Sequence, residues 1–100
     1  SIESKPVPST EMLISSYPNP FNPGTSIEYE LPDQSDVSVI IYDMTGREVN
    51  RLVSISQPPG SYKVSWNGAD HVGRQVAGGM YFARLQAGDN SSVAKMVYLR

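Results

Sequence analysis

The stretch Val37–Val53, VSVIIYDMTGREVNRLV, constrains the fold more than any other part of the chain. Val37, Ser38, Val39, Ile40, Ile41 and Tyr42 form a run rich in β-branched and aromatic side chains, a composition suited to a pleated, buried strand. Asp43-Met44-Thr45-Gly46 interrupts it, since Asp bonds its own backbone in a turn and Gly accepts positive φ. Arg47–Val53 resumes as a more polar strand whose apolar members are Val49, Leu52 and Val53. Two such runs joined by a short loop ending in Gly predict a β-hairpin. Ile40 and Ile41 are adjacent and point to opposite faces, which predicts a central strand covered on both sides.

The rest of the chain repeats the pattern. Thr25–Leu31 alternates, with Ile27, Tyr29 and Leu31 on one face and Ser26, Glu28 and Glu30 on the other. Ser61–Asn67 does the same with Tyr62, Val64 and Trp66, and Met80–Leu85 with Tyr81, Ala83 and Leu85. Val93–Leu99 closes the chain with Val93, Val97 and Leu99 apolar and Lys95 sharing their face. Met12-Leu13-Ile14 predicts a first, edge strand. Turns are expected at Pro32–Ser35, within Ser54–Gly60 at Pro58-Pro59-Gly60, and at Gly88-Asp89-Asn90; Gly68–Gly79, with four glycines, reads as a long structured loop. In Tyr17–Gly24, YPNPFNPG, three prolines interleave with Asn19 and Asn22. That predicts a stiff ordered loop whose Tyr17 and Phe21 cap one end of the core.

Seven short strands, or six if Met12-Leu13-Ile14 is only loop, with turn signals between them predict an all-β, antiparallel sandwich. Shared phase places Ile27, Tyr29, Val39, Ile41, Val64, Trp66, Tyr81 and Val97 in its core. A chain of 100 residues makes one small domain. Ser1–Glu11, short in large apolar residues and carrying Pro6 and Pro8, reads as an extended linker from an upstream domain, leaving 12–100 as the folded unit. The chain begins at Ser1 rather than Met, so it is expected to be a piece of something longer.

Several functions are disfavoured by composition. A net charge of −2 offers no basic surplus for nucleic acid. The absence of cysteine removes disulfides, thiolate metal sites and a Cys nucleophile. No apolar stretch approaches the roughly 20 residues of a transmembrane helix. His71, the one histidine, stands beside Asp70 in a Gly-rich loop with no nucleophile or oxyanion donor in view, so no catalytic set is expected. Asp70-x-x-Gly73 and Asp43-x-x-Gly46 read as turns rather than calcium loops, because calcium takes six or more oxygens. No cofactor is expected. Most aromatics fall on the inward phase; Phe82 and Tyr98 are out of phase and are the candidates for exposure. Asn90-Ser91-Ser92 matches a glycosylation sequon, a weak pattern.

Taken together, the motifs match a known family. Tyr17-Pro18-Asn19-Pro20-Phe21-Asn22-Pro23 followed by Ile27-x-Tyr29-x-Leu31-Pro32 resembles the opening of the C-terminal sorting domains (type A) of the type IX secretion system. These are grouped with the immunoglobulin-like domain of the flagellar hook-capping protein. The likeness continues through Val39-x-Ile41-Tyr42-Asp43-x-x-Gly46-Arg47-x-Val49 and Gly60-x-Tyr62-x-Val64-x-Trp66-x-Gly68-x-Asp70-x-x-Gly73-x-x-Val76-x-x-Gly79-x-Tyr81. It ends at Lys95-Met96-Val97-Tyr98-Leu99-Arg100.

The resemblance implies an immunoglobulin-like sandwich without catalytic activity, at the end of a large secreted protein of the Bacteroidetes or their relatives. Its implied partners are the outer-membrane secretion translocon, a surface sortase, and an upstream cargo domain in the same chain. The implied location is secreted or cell-surface, reached through the periplasm. Carried over from the family's C-terminal recognition element, the candidate residues are Gly79, Tyr81, Lys95, Met96, Val97, Leu99 and Arg100. Two other readings stand beside it. A carbohydrate-binding or adhesive module of a secreted glycosidase would need exposed coplanar aromatics, and a structural spacer or assembly domain would have flagellar gene neighbours.

Overall fold

The alternating runs become strands. The computed structural model describes residues 14–99; the expected linker Ser1–Glu11, Met12, Leu13 and Arg100 lie outside them. Seven strands follow in order: β1 (Ile14–Tyr17), β2 (Thr25–Leu31), β3 (Ser35–Asp43), β4 (Glu48–Gln57), β5 (Gly60–Trp66), β6 (Gly79–Ala87) and β7 (Asn90–Tyr98). They form a three-stranded sheet, β1-β2-β5, and a four-stranded sheet, β4-β3-β6-β7, with every strand pair antiparallel. No helix occurs among the described residues, so none there is long and apolar enough to cross a membrane. The fold is the expected all-β immunoglobulin-like sandwich.

Its core is filled by the inward phase of each strand. Ile27 and Tyr29 from β2, Val39 and Ile41 from β3, Trp66 from β5 and Tyr81 from β6 are all buried, as alternation predicts. Burying side chains of this size is the main force holding the two sheets face to face. The β3–β4 hairpin forms where expected, turning through residues 44–47.

Four expectations are corrected. β4 runs past its expected end at Val53 through Ser54–Gln57: Ser54 and Ser56 lie opposite Ser38 and Asp36, and an extended neighbour recruits residues of low β-propensity. β3 is central in its sheet, but only its inner face is covered among the described residues; Ile40 is shielded by neighbours in its own sheet and stays half-buried. Val64 is half-buried because β5 is an edge strand.

The fourth concerns phase in β7. Met96 and Tyr98 enter the core, at 0% and 4% exposure, whereas Val97 is half-buried on the other face and Val93 and Leu99 are exposed. Tyr98 is therefore a core residue and not an exposed one, while Phe82 is half-buried on the outer face. Both faces of this strand are apolar, so alternation alone does not choose between them.

Candidate functional site

The C-terminal strand is an edge strand, and the proline-rich loop closes half of that edge. In Tyr17–Gly24 each proline lacks an N–H, so the loop's polar contacts fall to its asparagines and its remaining amides. Asn19 donates from Nδ2 to the Lys95 carbonyl at 2.7 Å, and its Oδ1 accepts the Val97 N–H at 3.0 Å. Phe21 N–H then donates to the Val97 carbonyl, and its own carbonyl accepts the Leu99 N–H, both at 2.9 Å. The result is a parallel bridge between Phe21 and Tyr98. Asn19 and Phe21 thus occupy the outward backbone groups that a strand added by a partner would use, from the Lys95 carbonyl to the Leu99 amide.

Phe21 alone caps the core. Its ring is buried, stacks on Tyr98 at 4.9 Å and tilts against Trp66 at 5.5 Å. Tyr17, expected to share that role, falls on the outward phase of β1 and is 79% exposed. Tyr81 meets Trp66 edge-on at 5.3 Å, an arrangement favoured by the ring quadrupoles. Its hydroxyl donates to the Ala77 carbonyl.

Gly68 passes so close to this cluster that a Cβ there would lie 2.9 Å from the Tyr98 ring. Its φ of +80° is also unfavourable for any other residue. The ring has nowhere to go, stacked on Phe21 and with its hydroxyl accepting from Gln75 Nε2. Gly68→Ala is expected to lower stability by about 2–3 kcal/mol. Denaturant unfolding checks this; an unchanged midpoint would mean that Tyr98 moves freely.

Two further loops at the same end use one turn twice. In Asp43-Met44-Thr45-Gly46-Arg47 the Asp43 N–H donates to the Arg47 carbonyl and the Gly46 N–H to the Asp43 carbonyl, both at 3.0 Å. Asp70-His71-Val72-Gly73-Arg74 repeats this at 2.8 and 3.0 Å. Each aspartate Oδ1 accepts two amides of its own turn: Thr45 and Arg47 at 2.9 and 3.1 Å, Val72 and Arg74 at 3.1 and 2.9 Å. Both carboxylates thus close their own turns.

The hydrogen bond from the Thr45 hydroxyl is the main cause holding Asp43 below its ordinary range, and the Arg74 amide does the same for Asp70. A depressed native value stabilises the fold above the unfolded carboxylate range, near pH 4, and that stability is lost as pH falls through the native value. Melting temperature should therefore drop on acidification below about pH 4. Asp43→Asn with Asp70→Asn keeps an acceptor in each turn and should flatten this acid limb; an unchanged limb would assign it to other carboxylates.

The seven candidate recognition residues do not form one patch. Tyr81 and Met96 face the core, and Gly79 starts β6 opposite Tyr98. Lys95 and Val97 point from β7 to the outer face, and Leu99 is exposed just beyond it. Arg100 lies outside the described residues. Sequence reasoning missed the neighbours of Lys95 and Val97 on that outer face: Tyr42, Met80 and Arg84, with Ile40 and Phe82 noted only singly. The signal was a second apolar phase, Ile40 and Tyr42 in β3 and Met80 and Phe82 in β6.

The comparisons agree with this architecture. The chain is similar to a segment of PorZ, described as an essential bacterial surface component of the type-IX secretion system of Porphyromonas gingivalis, at 27% identity and a TM-score of 0.60. That match covers 87% of this chain and 11% of the PorZ chain. It is similar in fold to a segment of dimeric latent PorU from the same organism, with 19% identity and a TM-score of 0.67 over 88% of this chain and 9% of that one. This chain therefore spans only about a tenth of either protein's length. No curated protein matches it. The model of the FlgD Ig-like domain matches residues 19–91, from the asparagine that closes the β7 edge to the start of β7 itself, and the chain belongs to that family.

Proposed function

We propose that this domain is a non-catalytic C-terminal sorting domain of type A, directing a larger secreted protein through the outer-membrane type IX translocon. The likeness to PorZ, a surface component of that system, is the observation that carries the reading. In this reading the upstream cargo belongs to the same chain, the route runs through the periplasm to the surface or the medium, and a surface sortase is the partner for attachment. Among the described residues Gly79, Lys95, Val97 and Leu99 are the members of the recognition element open to a partner, while Tyr81 and Met96 face the core.

The test is a periplasm-targeted reporter fused ahead of residues 1–100 in a type IX-competent host and in the same host lacking the translocon. Reporter should reach the surface or medium only in the competent strain. Equal release from both strains would overturn the reading.

Membership in the FlgD Ig-like family favours a second reading, a structural spacer or assembly domain. Flagellar gene neighbours would select it; a secreted enzyme upstream would select sorting. A sugar platform fits less well, since Tyr17 alone of the nine aromatics is fully exposed.

A further inference from the structure

The outer face of the four-stranded sheet is patterned in rows. At one end lie Ser56 and Asp36, then Ser54, Ser38, Gln86 and Ser91, all polar. The next row runs Arg51, Ile40, Arg84, Val93; then Glu48, Tyr42, Phe82, Lys95; then Met80 and Val97. Six apolar side chains thus lie on the half of the sheet nearest the Phe21–Trp66 cluster. Among the described residues no element packs on them. Lateral contacts leave five of them half-buried, and Val93 is 56% exposed. The opposite face carries Ser26, Glu28 and Glu30 on β2 and Ser61, Lys63 and Ser65 on β5, with Ser15 and the exposed Tyr17 on the edge strand β1.

Charge separates the two faces as well. Around the apolar rows stand Arg51, Arg84 and Lys95 against one carboxylate, Glu48, in a chain whose net charge is −2. Glu48 is already taken by Arg51 at 3.4 Å, whereas among the described residues no ion pair takes Arg84 or Lys95. An apolar strip bordered by two uncommitted cations fits a surface of the reverse pattern, apolar at its centre with carboxylates at its margin. The whole face of four strands, spaced about 4.8 Å apart and rising about 3.3 Å per residue, measures roughly 19 by 30 Å, at the low end of protein interfaces, and the apolar rows cover about half of it.

We propose that this face docks an acidic-rimmed apolar protein surface of the secretion machinery, with Arg84 and Lys95 setting orientation and Tyr42, Phe82, Met80 and Val97 supplying the buried contact. This rests on the sorting reading. A second copy about a two-fold axis across the strands would bring Arg84 and Lys95 near their own like charges, and one along the strands would set Arg84 over the apolar Ile40. An anionic membrane gains only about 1 kcal/mol per nearby basic residue, and rings already half-buried in the sheet have little left to insert into lipid. Nor does the site need strand addition at β7, where Asn19 and Phe21 already sit.

The reporter fusion tests it. Arg84→Glu with Lys95→Glu should lower surface or medium reporter at least tenfold, with the purified chain melting as the parent does. Glu28→Lys with Glu30→Lys, on the other face, should export normally. Release of the first variant at parental levels while the unaltered fusion still depends on the translocon overturns the docking face and leaves the sorting reading standing. Failure of the unaltered fusion to depend on the translocon removes the sorting reading, and this proposal with it. Phe82→Ser is the second arm; if it melts much lower than the parent, the charge reversal decides. Co-sedimentation with phosphatidylglycerol vesicles, or self-association in sedimentation velocity, that the charge reversal abolishes would overturn the protein partner in favour of lipid or a second copy.

Discussion

Trp66→Ala is expected to lower stability by about 3–5 kcal/mol, a large part of the 5–15 kcal/mol, roughly, that holds a typical domain folded. The indole is only 1% exposed and lies against Phe21, Tyr81 and Tyr98 with ring centroids at 5.5, 5.3 and 6.4 Å. Its Nε1 donates to the Ala69 carbonyl at 2.8 Å. Asn50 Nδ2 donates to the same carbonyl at 3.0 Å, so truncation leaves that oxygen with a partner. The cost is therefore one of lost packing and a cavity that three other rings cannot collapse to fill. Urea unfolding of the purified chain measures it. Cooperative unfolding at the parental midpoint would show that Trp66 does not anchor the core.

Phe21→Ala is expected to cost a similar amount, about 3–5 kcal/mol, although Phe21 lies in a loop. Its ring is 1% exposed, and it ties the proline-rich segment to the core at the point where its backbone bridges β7. Two consequences distinguish it from an ordinary core truncation. Amide exchange at Val97 and Leu99 should accelerate beyond the global change, because these groups touch the loop through Asn19 and Phe21. Combined with Trp66→Ala it should be non-additive by about 0.5–3 kcal/mol, since contacting rings share one cavity. Additivity, with exchange at Val97 and Leu99 following only the global change, would mean that the loop sits on the edge independently of its phenyl anchor.

Much of this was legible in the chain. Strands with one polar and one apolar phase, such as Thr25–Leu31, left a single register that hides the apolar set, so Ile27 and Tyr29 are found where alternation puts them. The turns were legible too. Asp43 and Asp70 each stand three residues before a glycine, and a short carboxylate next to its own amides closes a turn without distant help.

The candidate recognition residues were legible only as a run. Lys95-Met96-Val97 reads as one motif, yet a strand sends its successive side chains to opposite faces, which parts Met96 from Lys95 and Val97.

What local pattern left open, tertiary contacts decided. β7 carries apolar side chains in both phases, and Tyr98 turned inward because Phe21 stacks on its ring and Gly68 leaves room for it. Ser54–Gln57 became strand because β3 lay extended beside it. The β7 edge was closed by Asn19, 76 residues before the carbonyl it binds. Alternation is a property of neighbours in sequence, so the chain by itself determined strands, turns and most of the core. Which apolar face is buried, and which edge is covered, depends on groups brought together only when the two sheets meet.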